Sequence, residues 1–253
     1  MLRGLIWDVD GTLAETEEVH RTAFNLAFAE AGLDWHWDRQ TYARLLAVSG
    51  GKERISHFQN SSAKEVVYDA GGIATLHDRK TLLYAELISS ERIQLRPGVR
   101  RLLEEAAQAG LRLGIATTTS AANVRALLTS TMGARTPYWQ AMVCGDDVPR
   151  KKPAPDVYVA ALAQLELPAS ECLAIEDSEN GLRAALAAGI ACLVIPSAYT
   201  DGQNFREALA VIESLEKDPC GGSVNVVKLR DWHSTHEQQK KAVKNNVASS
   251  ILC

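Results

Sequence analysis

The sequence predicts an α/β fold in which helices cover both faces of a parallel sheet and an all-helical cap domain is inserted after the first strand. After residue 96, short apolar runs of strand character alternate with segments that have apolar residues at helical spacing. This alternation is typical of right-handed crossovers between parallel strands. The segment from about residue 15 to residue 93 instead contains one helical pattern after another and no convincing strand. Together these observations predict a Rossmann-like core that carries a cap.

The core is predicted to comprise residues 1–14 and 96–217. Its strands are predicted at residues 5–7, 111–116, 141–144, 172–175 and 191–195. Its helices are predicted at residues 99–109, 121–130, 156–165 and 181–188, where apolar residues recur at helical spacing. Gly110 and Gly189 fall just past two of these helices, and a glycine commonly follows the end of a helix.

The cap is predicted to comprise residues 15–95, with helices at 17–31, 39–47, 52–59 and 73–90. The chain crosses between the domains near residues 14–16 and 93–98, which are predicted to form the hinge. Residues 218–253 are rich in glycine and polar side chains, with a charged patch at 237–244. We expect them to form a poorly packed tail with no more than one short helix.

Composition is that of an ordinary globular protein and argues against two classes of partner. The chain has 253 residues, of which 46% are hydrophobic and 23% charged. A net charge of −4 supplies no basic excess for nucleic acid, and no apolar stretch approaches the roughly 20 residues that span a bilayer. The five cysteines show no CxxC spacing, which favours a reducing compartment without disulfides or a zinc site. With no charged-then-apolar leader, the expected location is the cytoplasm, or a stroma-like compartment for an imported mature form.

Asp8 and Asp10 directly follow the first predicted strand. Because side chains alternate along an extended chain, both carboxylates point to the same side, where two like charges need a cation, a shared proton or open water. A solvated turn or a helix cap is the ordinary explanation for a lone aspartate. Gly11 and Thr12 speak against it here, since the glycine permits a sharp turn that presents both carboxylates.

Two further strand ends carry weaker signals. Thr117 ends a predicted strand, and Ser120 is placed to cap the helix that follows. A phosphate oxygen would also suit the start of this helix. From the motif alone, helix capping is the favoured interpretation. Lys152 precedes Pro153, which holds it extended. A solvated basic loop explains that lysine equally, although it would also balance the charge of several carboxylates and a phosphate.

A second acidic pair, Glu176 and Asp177, follows another apolar strand. One such pair can be a helix cap. Two pairs at the carboxyl ends of strands in one sheet make an oxygen-rich site for a hard cation, and Mg²⁺ is the expected ion.

Four features of the sequence, in this order, resemble the four motifs of the haloacid dehalogenase-like phosphohydrolases: D-V-D-G-T, the strand-end threonine, the Lys-Pro and the Glu-Asp pair. The position of the helical insert resembles that of β-phosphoglucomutase. Four longer strings resemble those of the CbbY subgroup, and the resemblance extends over residues 1 to about 215. These strings are D-W-H-W-D-R-Q-T-Y-A-R-L-L, G-G-K-E-R-I, A-T-T-T-S-A-A-N-V and P-S-A-Y-T. Members of that subgroup are Calvin-cycle phosphatases that dephosphorylate xylulose 1,5-bisphosphate, an inhibitory by-product of Rubisco.

The resemblance implies a role for each core motif. Asp8 would be the nucleophile that forms an aspartyl-phosphate, and Asp10 would be the general acid and then the general base. Asp8, the backbone carbonyl of Asp10, and Asp177 would hold Mg²⁺, with Glu176 acting directly or through a metal-bound water. Mg²⁺ and Lys152 would neutralise the charge on the transferred phosphoryl group. The transferring phosphoryl or the adjacent sugar would be hydrogen-bonded by Thr117, Thr118, Thr119 and Ser120.

The resemblance also gives the cap a role in specificity. The turn at Gly50 and Gly51, followed by Lys52 and Arg54, would bind a second, non-reacting phosphate; ordinary surface charges at a helix start are the alternative.

Two further residues begin the first cap helix and would face the nucleophile loop. Glu17 would contact sugar hydroxyls, and His20 would be either structural or a proton relay. Trp35 and Trp37 are assigned to packing within the cap.

The expected partner is a small phosphorylated sugar, with no obligate protein partner and a monomeric chain. A phosphosugar mutase and a broad sugar-phosphate phosphatase share the same motifs and stay open as alternatives. A non-catalytic phosphosugar-binding regulator is the alternative from another class, and turnover distinguishes it, because a regulator binds its ligand without releasing phosphate.

Overall fold

The computed structural model describes residues 1–61, 68–91, 93–133, 136–218 and 221–251, with side chains described up to residue 242 within those ranges. It confirms the predicted fold class. The strands are β1 (Gly4–Trp7), β2 (Arg112–Ala116), β3 (Ala141–Val143), β4 (Cys172–Glu176), β5 (Ala191–Val194) and β6 (Ala210–Val211). The helices are α1 (Glu17–Glu30), α2 (Arg39–Leu45), α3 (Gly51–Ser61), α4 (Ala70–Ser90), α5 (Val99–Gln108), α6 (Ala121–Thr131), α7 (Asp156–Leu165), α8 (Glu179–Ala187) and α9 (Val226–Ile251).

The strands form one parallel sheet in the order β3-β2-β1-β4-β5-β6. Leu5 of the central strand β1 aligns with Leu113 of β2 and with Leu173 of β4. The chain builds outward from β1 to β3, then returns to β4 and builds outward to β6 on the other side. The strand order therefore reverses between β1 and β4, and ligands bind at the carboxyl ends of the strands at such a point.

Both faces of the sheet are buried. Leu5 and Trp7 of β1 belong to an apolar cluster that also includes side chains of α5, α6 and α9, whereas Ile6 faces the opposite cluster, which includes side chains of α7 and α8. Side chains alternate along a strand, so a sheet covered on both sides requires apolar residues at successive positions. This is why the strands appear in the sequence as unbroken apolar runs.

The cap contains α1 to α4, and no strand occurs in the described part of residues 17–90. Its centre is aromatic: the ring of Trp37 lies 4.7 Å from Phe24 and 4.8 Å from Phe28, and Trp35 lies 5.4 Å from Phe28. Both tryptophans are therefore cap-packing residues, as the sequence analysis assigned them.

The two segments that connect the cap to the core lie side by side. Ala14 forms an antiparallel bridge with Leu95, and the Arg96 backbone N–H donates to the Leu13 carbonyl at 2.8 Å. We propose that this pair of segments is the hinge of the cap.

The expectation of a poorly packed tail is wrong for residues 224–229. Val224, Val226 and Leu229 are buried in the same apolar cluster as β1, and the Val226 N–H donates to Glu105 of α5 at 2.9 Å. The tail contains the helix α9 of 26 residues, not a short one. The tail is mostly polar and contains few apolar residues. Its composition therefore gave no sign that one side of α9 packs against the core. Pro219, Cys220, Leu252 and Cys253 lie outside the described residues.

Three smaller observations concern other expectations. The strand β6 was not predicted; it has two residues at the edge of the sheet, too few to form a pattern. Cys144, Cys172 and Cys192 are buried free thiols. In the part of the chain that the structure describes, no helix is long and apolar enough to cross a membrane.

We expect Leu229→Ala to lower the free energy of unfolding by about 2–5 kcal/mol, because it removes a buried side chain and leaves a cavity. Val227→Ala is the matched control on the same helix, since Val227 is 63% exposed, and it should change stability by no more than about 0.5 kcal/mol. Urea unfolding measures both variants. Equal effects would contradict the packing of α9 described above.

Candidate active site

A cleft of about 450 Å³ opens between the carboxyl edge of the sheet and the cap. All of the predicted site residues except Glu176 line it: Asp8, Asp10, Glu17, His20, Gly50, Gly51, Lys52, Arg54, Thr117, Thr118, Thr119, Ser120, Lys152 and Asp177. Residues from four separate motifs and from two helices of the cap thus meet in one place. Their roles remain to be tested.

The loop after β1 presents Asp8 to the cleft. The Asp8 N–H extends the pairing with β4 by donating to the Ile175 carbonyl at 3.0 Å, and the Thr12 hydroxyl donates to Asp8 Oδ2 at 3.3 Å. Gly11 has a φ of +80°, and a Cβ at this position would overlap the Asp177 carboxylate. Only glycine satisfies both constraints, so the Asp-Gly turn lets the two acidic motifs approach each other.

Lys152 joins two of the carboxylates. Its Nζ lies 2.6 Å from Asp8 Oδ1 and 2.5 Å from Glu176 Oε1. Glu176 lies behind the cleft with no exposed surface, and the Tyr158 hydroxyl donates to its Oε1 at 2.5 Å. Tyr158 was not predicted as a site residue; its one signal was its place six residues after Lys152, on a helix packed against the sheet.

Asp8, Glu176 and Asp177, here called the acidic cluster, are all buried and offer oxygens within 4.8 Å of one another. Burial raises the pKa of Asp8 to about 7 despite the opposing charge of Lys152. Burial and the charges of Asp8 and Glu176 raise the pKa of Asp177 well above its usual range. One ammonium does not balance three buried carboxylates, and a divalent cation with a preference for oxygen ligands would. The acidic cluster therefore fits Mg²⁺.

The side chain of Asp10 does not belong to the acidic cluster but turns towards the cap. Asp10 Oδ1 accepts from the Thr16 hydroxyl at 2.6 Å and lies 2.9 Å from His20 Nε2. Burial opposes ionisation, but His20 and Thr16 outweigh it and lower the pKa of Asp10 to about 2. The expectation that Asp10 binds metal through its backbone carbonyl stays a prediction.

Lys80 on α4 completes a buried chain of polar groups, and the sequence analysis missed it. Lys80 Nζ lies 2.5 Å from His20 Nδ1. Because the ionised Asp10 carboxylate can only accept, Nε2 carries the proton that His20 donates to Asp10. Burial lowers the pKa of Lys80 to about 7, with Asp10 opposing the shift. The available signal was a lysine among the apolar positions of a cap helix, three residues after His77 and three before Leu83.

The hydroxyls after β2 have different surroundings. Ser120 caps α6, accepting from the Asn123 N–H at 3.3 Å, as its motif indicated. Thr117 is buried and its hydroxyl accepts from the Thr119 N–H at 3.3 Å. Thr118 and Thr119 line the cleft in front of them.

The cations of the cap motif already have partners. Lys52 Nζ lies 3.1 Å from Oδ1 of Asp146, a residue of the core. The Arg54 guanidinium donates to the carbonyls of Leu45 and Val48 at 3.2 and 3.3 Å. Lys52 thus links the cap to the core across the cleft, whereas Arg54 organises the loop between α2 and α3.

Arg54 also supports Glu17. It donates to the Tyr42 hydroxyl at 3.1 Å, and Tyr42 donates in turn to Glu17 Oε2 at 2.7 Å. Tyr42 was not predicted as a site residue. Its contacts hold Glu17 at the edge of the cleft, so the position of this carboxylate depends on three separate cap elements.

A family model described as haloacid dehalogenase-like hydrolase matches residues 2–189. The chain is 50% identical over 249 residues to the plasmid-encoded CbbY protein of Cupriavidus necator, covering 92% of this chain and 97% of that protein.

Two solved structures extend the comparison. A CbbY variant from Rhodobacter sphaeroides, crystallised with xylulose 1,5-bisphosphate, has 43% sequence identity and a TM-score of 0.81, covering 85% of this chain and 95% of that one. β-Phosphoglucomutase from Clostridium difficile has a TM-score of 0.77 at 17% identity, with 93% of this chain and 99% of that one covered, and so shares the fold.

We expect Lys80→Met to stabilise the protein most at low pH. The folded-state pKa of about 7 lies below that of an unfolded lysine, about 10.4. Between these values the unfolded wild type binds more protons, so its free energy of unfolding rises with pH, whereas the variant lacks this contribution. The stability difference between variant and wild type should therefore shrink from about pH 6 to about pH 9 in urea unfolding.

Lys217→Met, at an exposed position, is the control, and its effect should be the same at each pH. A difference for Lys80→Met that does not vary with pH would contradict the burial of a titrating lysine.

Proposed function

The chain belongs to the haloacid dehalogenase-like hydrolases, within the CbbY group, and is a phosphatase; we propose that it is Mg²⁺-dependent and removes one phosphate from xylulose 1,5-bisphosphate through an aspartyl-phosphate on Asp8. The observation that carries the proposal is the contact of Asp8 with Lys152 at 2.6 Å, beside a carboxylate pair, at the base of a cleft closed by the cap. The CbbY variant crystallised with xylulose 1,5-bisphosphate supports the choice of substrate.

In the first half of the reaction, a carboxylate oxygen of Asp8 attacks phosphorus and the bond between phosphorus and the sugar oxygen breaks. Lys152 holds Asp8 and faces the charge that builds on the phosphoryl oxygens. Asp10 gives a proton to the departing sugar oxygen. Because its pKa is lowered to about 2, Asp10 must first take up this proton from solvent, which the negative charge of a bound phosphate favours. The N–H of His20 keeps Asp10 oriented.

In the second half, water attacks the phosphorus of the aspartyl-phosphate and Asp10 accepts the proton of that water. Asp8 is released and inorganic phosphate leaves. Mg²⁺, held by Asp8, Asp177 and Glu176, with the Asp10 carbonyl, would supply the positive charge that draws the phosphoryl oxygens into this site. Thr118 and Thr119 also line the cleft and are proposed to hydrogen-bond the substrate.

The second phosphate of the substrate is assigned to Lys52 in the cap. The Lys52 ammonium is partly exposed and lies on the cleft, and its ion pair is with the exposed carboxylate of Asp146, which a phosphate can replace. Arg54 lines the same cleft, but its Nε and Nη2 donate hydrogen bonds to carbonyls of the cap. We infer that Arg54 mainly holds the cap loop and Glu17 in place, and that Glu17 meets the sugar hydroxyls.

We expect wild-type protein with Mg²⁺ to release phosphate from xylulose 1,5-bisphosphate faster than from ribulose 1,5-bisphosphate or β-glucose 1-phosphate. Asp8→Asn should abolish turnover without altering the fold, because the amide is a poor nucleophile. Phosphate release under steady-state conditions and circular dichroism measure the two effects.

Each other outcome identifies an alternative. Similar rates on all three sugars would favour a broad sugar-phosphate phosphatase. Conversion of β-glucose 1-phosphate to an isomer would favour a mutase, and binding without turnover would favour a regulator. Turnover by pure Asp8→Asn would remove Asp8 as the nucleophile.

We expect Lys52→Ala to raise KM for the bisphosphate by about 10- to 100-fold, because a charged hydrogen bond to the second phosphate is worth about 1.5–3 kcal/mol. KM for an aryl monophosphate should stay within about twofold. Asp146→Ala, which frees the same ammonium, should lower KM for the bisphosphate. If Lys52→Ala impaired both substrates equally, the assignment of the second phosphate to Lys52 would be wrong.

A further inference from the structure

We propose that Arg96 is a positioning residue for the metal site: its guanidinium fixes the nucleophile loop against the loop that supports Asp177. This inference rests on the proposed function, because it concerns the site at which Mg²⁺ is expected. Arg96 lies in the second crossing between cap and core, outside the four sequence motifs and outside the cleft lining.

The guanidinium of Arg96 joins backbone carbonyls of two loops. One nitrogen, Nη1, donates to the Gly11 carbonyl and to the Ile195 carbonyl, the latter at 2.7 Å. The other, Nη2, donates to the Pro196 carbonyl at 2.8 Å. The side chain is only 11% exposed. A planar fork with donors at fixed angles suits acceptors on two sides, and the point charge of a lysine cannot reproduce it.

The first of these loops carries the nucleophile. Gly11 directly follows Asp10, whose backbone carbonyl is expected to bind the metal, and lies against the Asp177 carboxylate. The Arg96 backbone N–H holds the same loop a second time, by donating to the Leu13 carbonyl at 2.8 Å. A shift of the Gly11 carbonyl would therefore move the peptide that follows Asp10.

The second loop contains the groups that hold Asp177 in place. The Ile195 N–H donates to the Glu176 carbonyl at 2.8 Å. Beyond it, the Ser197 N–H donates to the Thr200 hydroxyl at 2.8 Å, and this hydroxyl donates to Asp177 Oδ2 at 3.4 Å. The carbonyls that Arg96 binds thus belong to the segment that fixes the side chain of one proposed ligand.

Arg96 consequently sets the separation between the two halves of the acidic cluster. Asp8 comes from one loop and Asp177 from the segment next to the other, and a metal ion needs both at a defined distance. Groups that orient metal ligands without touching the metal commonly change metal affinity by about 10- to 100-fold when they are replaced. Arg96 also lies 3.4 Å from Glu15 of the first crossing, so the same side chain connects the proposed hinge to the site.

The experiment is calorimetric titration of Mg²⁺ alone into substrate-free protein, with thermal unfolding measured in parallel. We expect Arg96→Lys to remain folded and to raise the dissociation constant of Mg²⁺ by about 10- to 100-fold. Arg101→Lys is the matched control. Arg101 also bridges two carbonyls, those of Leu215 and Val224 at 2.9 and 3.0 Å, but away from the cleft. This control should lower the melting temperature and leave the Mg²⁺ dissociation constant within about twofold of wild type.

Three outcomes would overturn the inference. Folded Arg96→Lys that binds Mg²⁺ like wild type would do so, as would an equal loss of affinity in Arg101→Lys, which would indicate general destabilisation. If Arg96→Lys fails to fold, Thr200→Val tests the same linkage further along; it should weaken Mg²⁺ binding, and unchanged binding would overturn the inference. Wild-type protein that binds no Mg²⁺ would instead contradict the proposed function, so the two failures are distinguishable.

Discussion

The buried bridge that Lys152 forms between Asp8 and Glu176 is the interaction on which the rest of the site depends. Ionised carboxylates are costly to bury, and like charges a few ångströms apart raise the cost further. A single ammonium reduces this cost but does not remove it, because Asp177 adds a third carboxylate. The residual negative charge is what suits the site to a divalent cation and to a phosphoryl group bound through it. Stability and function are therefore coupled in the same group of side chains.

The sheet makes this bridge geometrically possible. β1 and β4 are neighbours, so the residues that follow them emerge side by side at one edge. Lys152 reaches the pair from the segment before α7, and Tyr158 on that helix donates to Oε1 of Glu176, the oxygen that Lys152 also contacts. Apolar clusters on both faces leave the strands little freedom to slide or rotate. The rigid core thus fixes the distances between charges, which no loop could do by itself.

The cap contributes what the core lacks. Asp10 has its carboxylate oriented by Thr16 and His20, and His20 is oriented by Lys80, all from the cap or its first crossing. The orientation of Asp10, the proposed general acid, therefore depends on contacts from the cap. Such an arrangement couples proton transfer to the exclusion of bulk water. Lys52 of the cap and Asp146 of the core also meet at this cleft, and Asn180 of the core donates to the Ala47 carbonyl of the cap, so several contacts hold the cap on the core.

The sequence by itself determined the fold class, the cap insertion, most helix and strand positions, and part of the set of residues that face the cleft. It could do so because apolar periodicity and motifs such as D-V-D-G-T are local and each has a physical reason visible in neighbouring residues. Only the tertiary structure decided which side chains and backbone groups contact one another. Lys80 meets His20 across 60 residues, and Arg96 binds carbonyls that lie 85 to 100 residues away. A carbonyl acceptor leaves no trace in a sequence, since every residue has one. The packing of α9 was hidden for a related reason: Val226 and Leu229 of this otherwise polar helix are buried against a surface that is formed by distant parts of the chain.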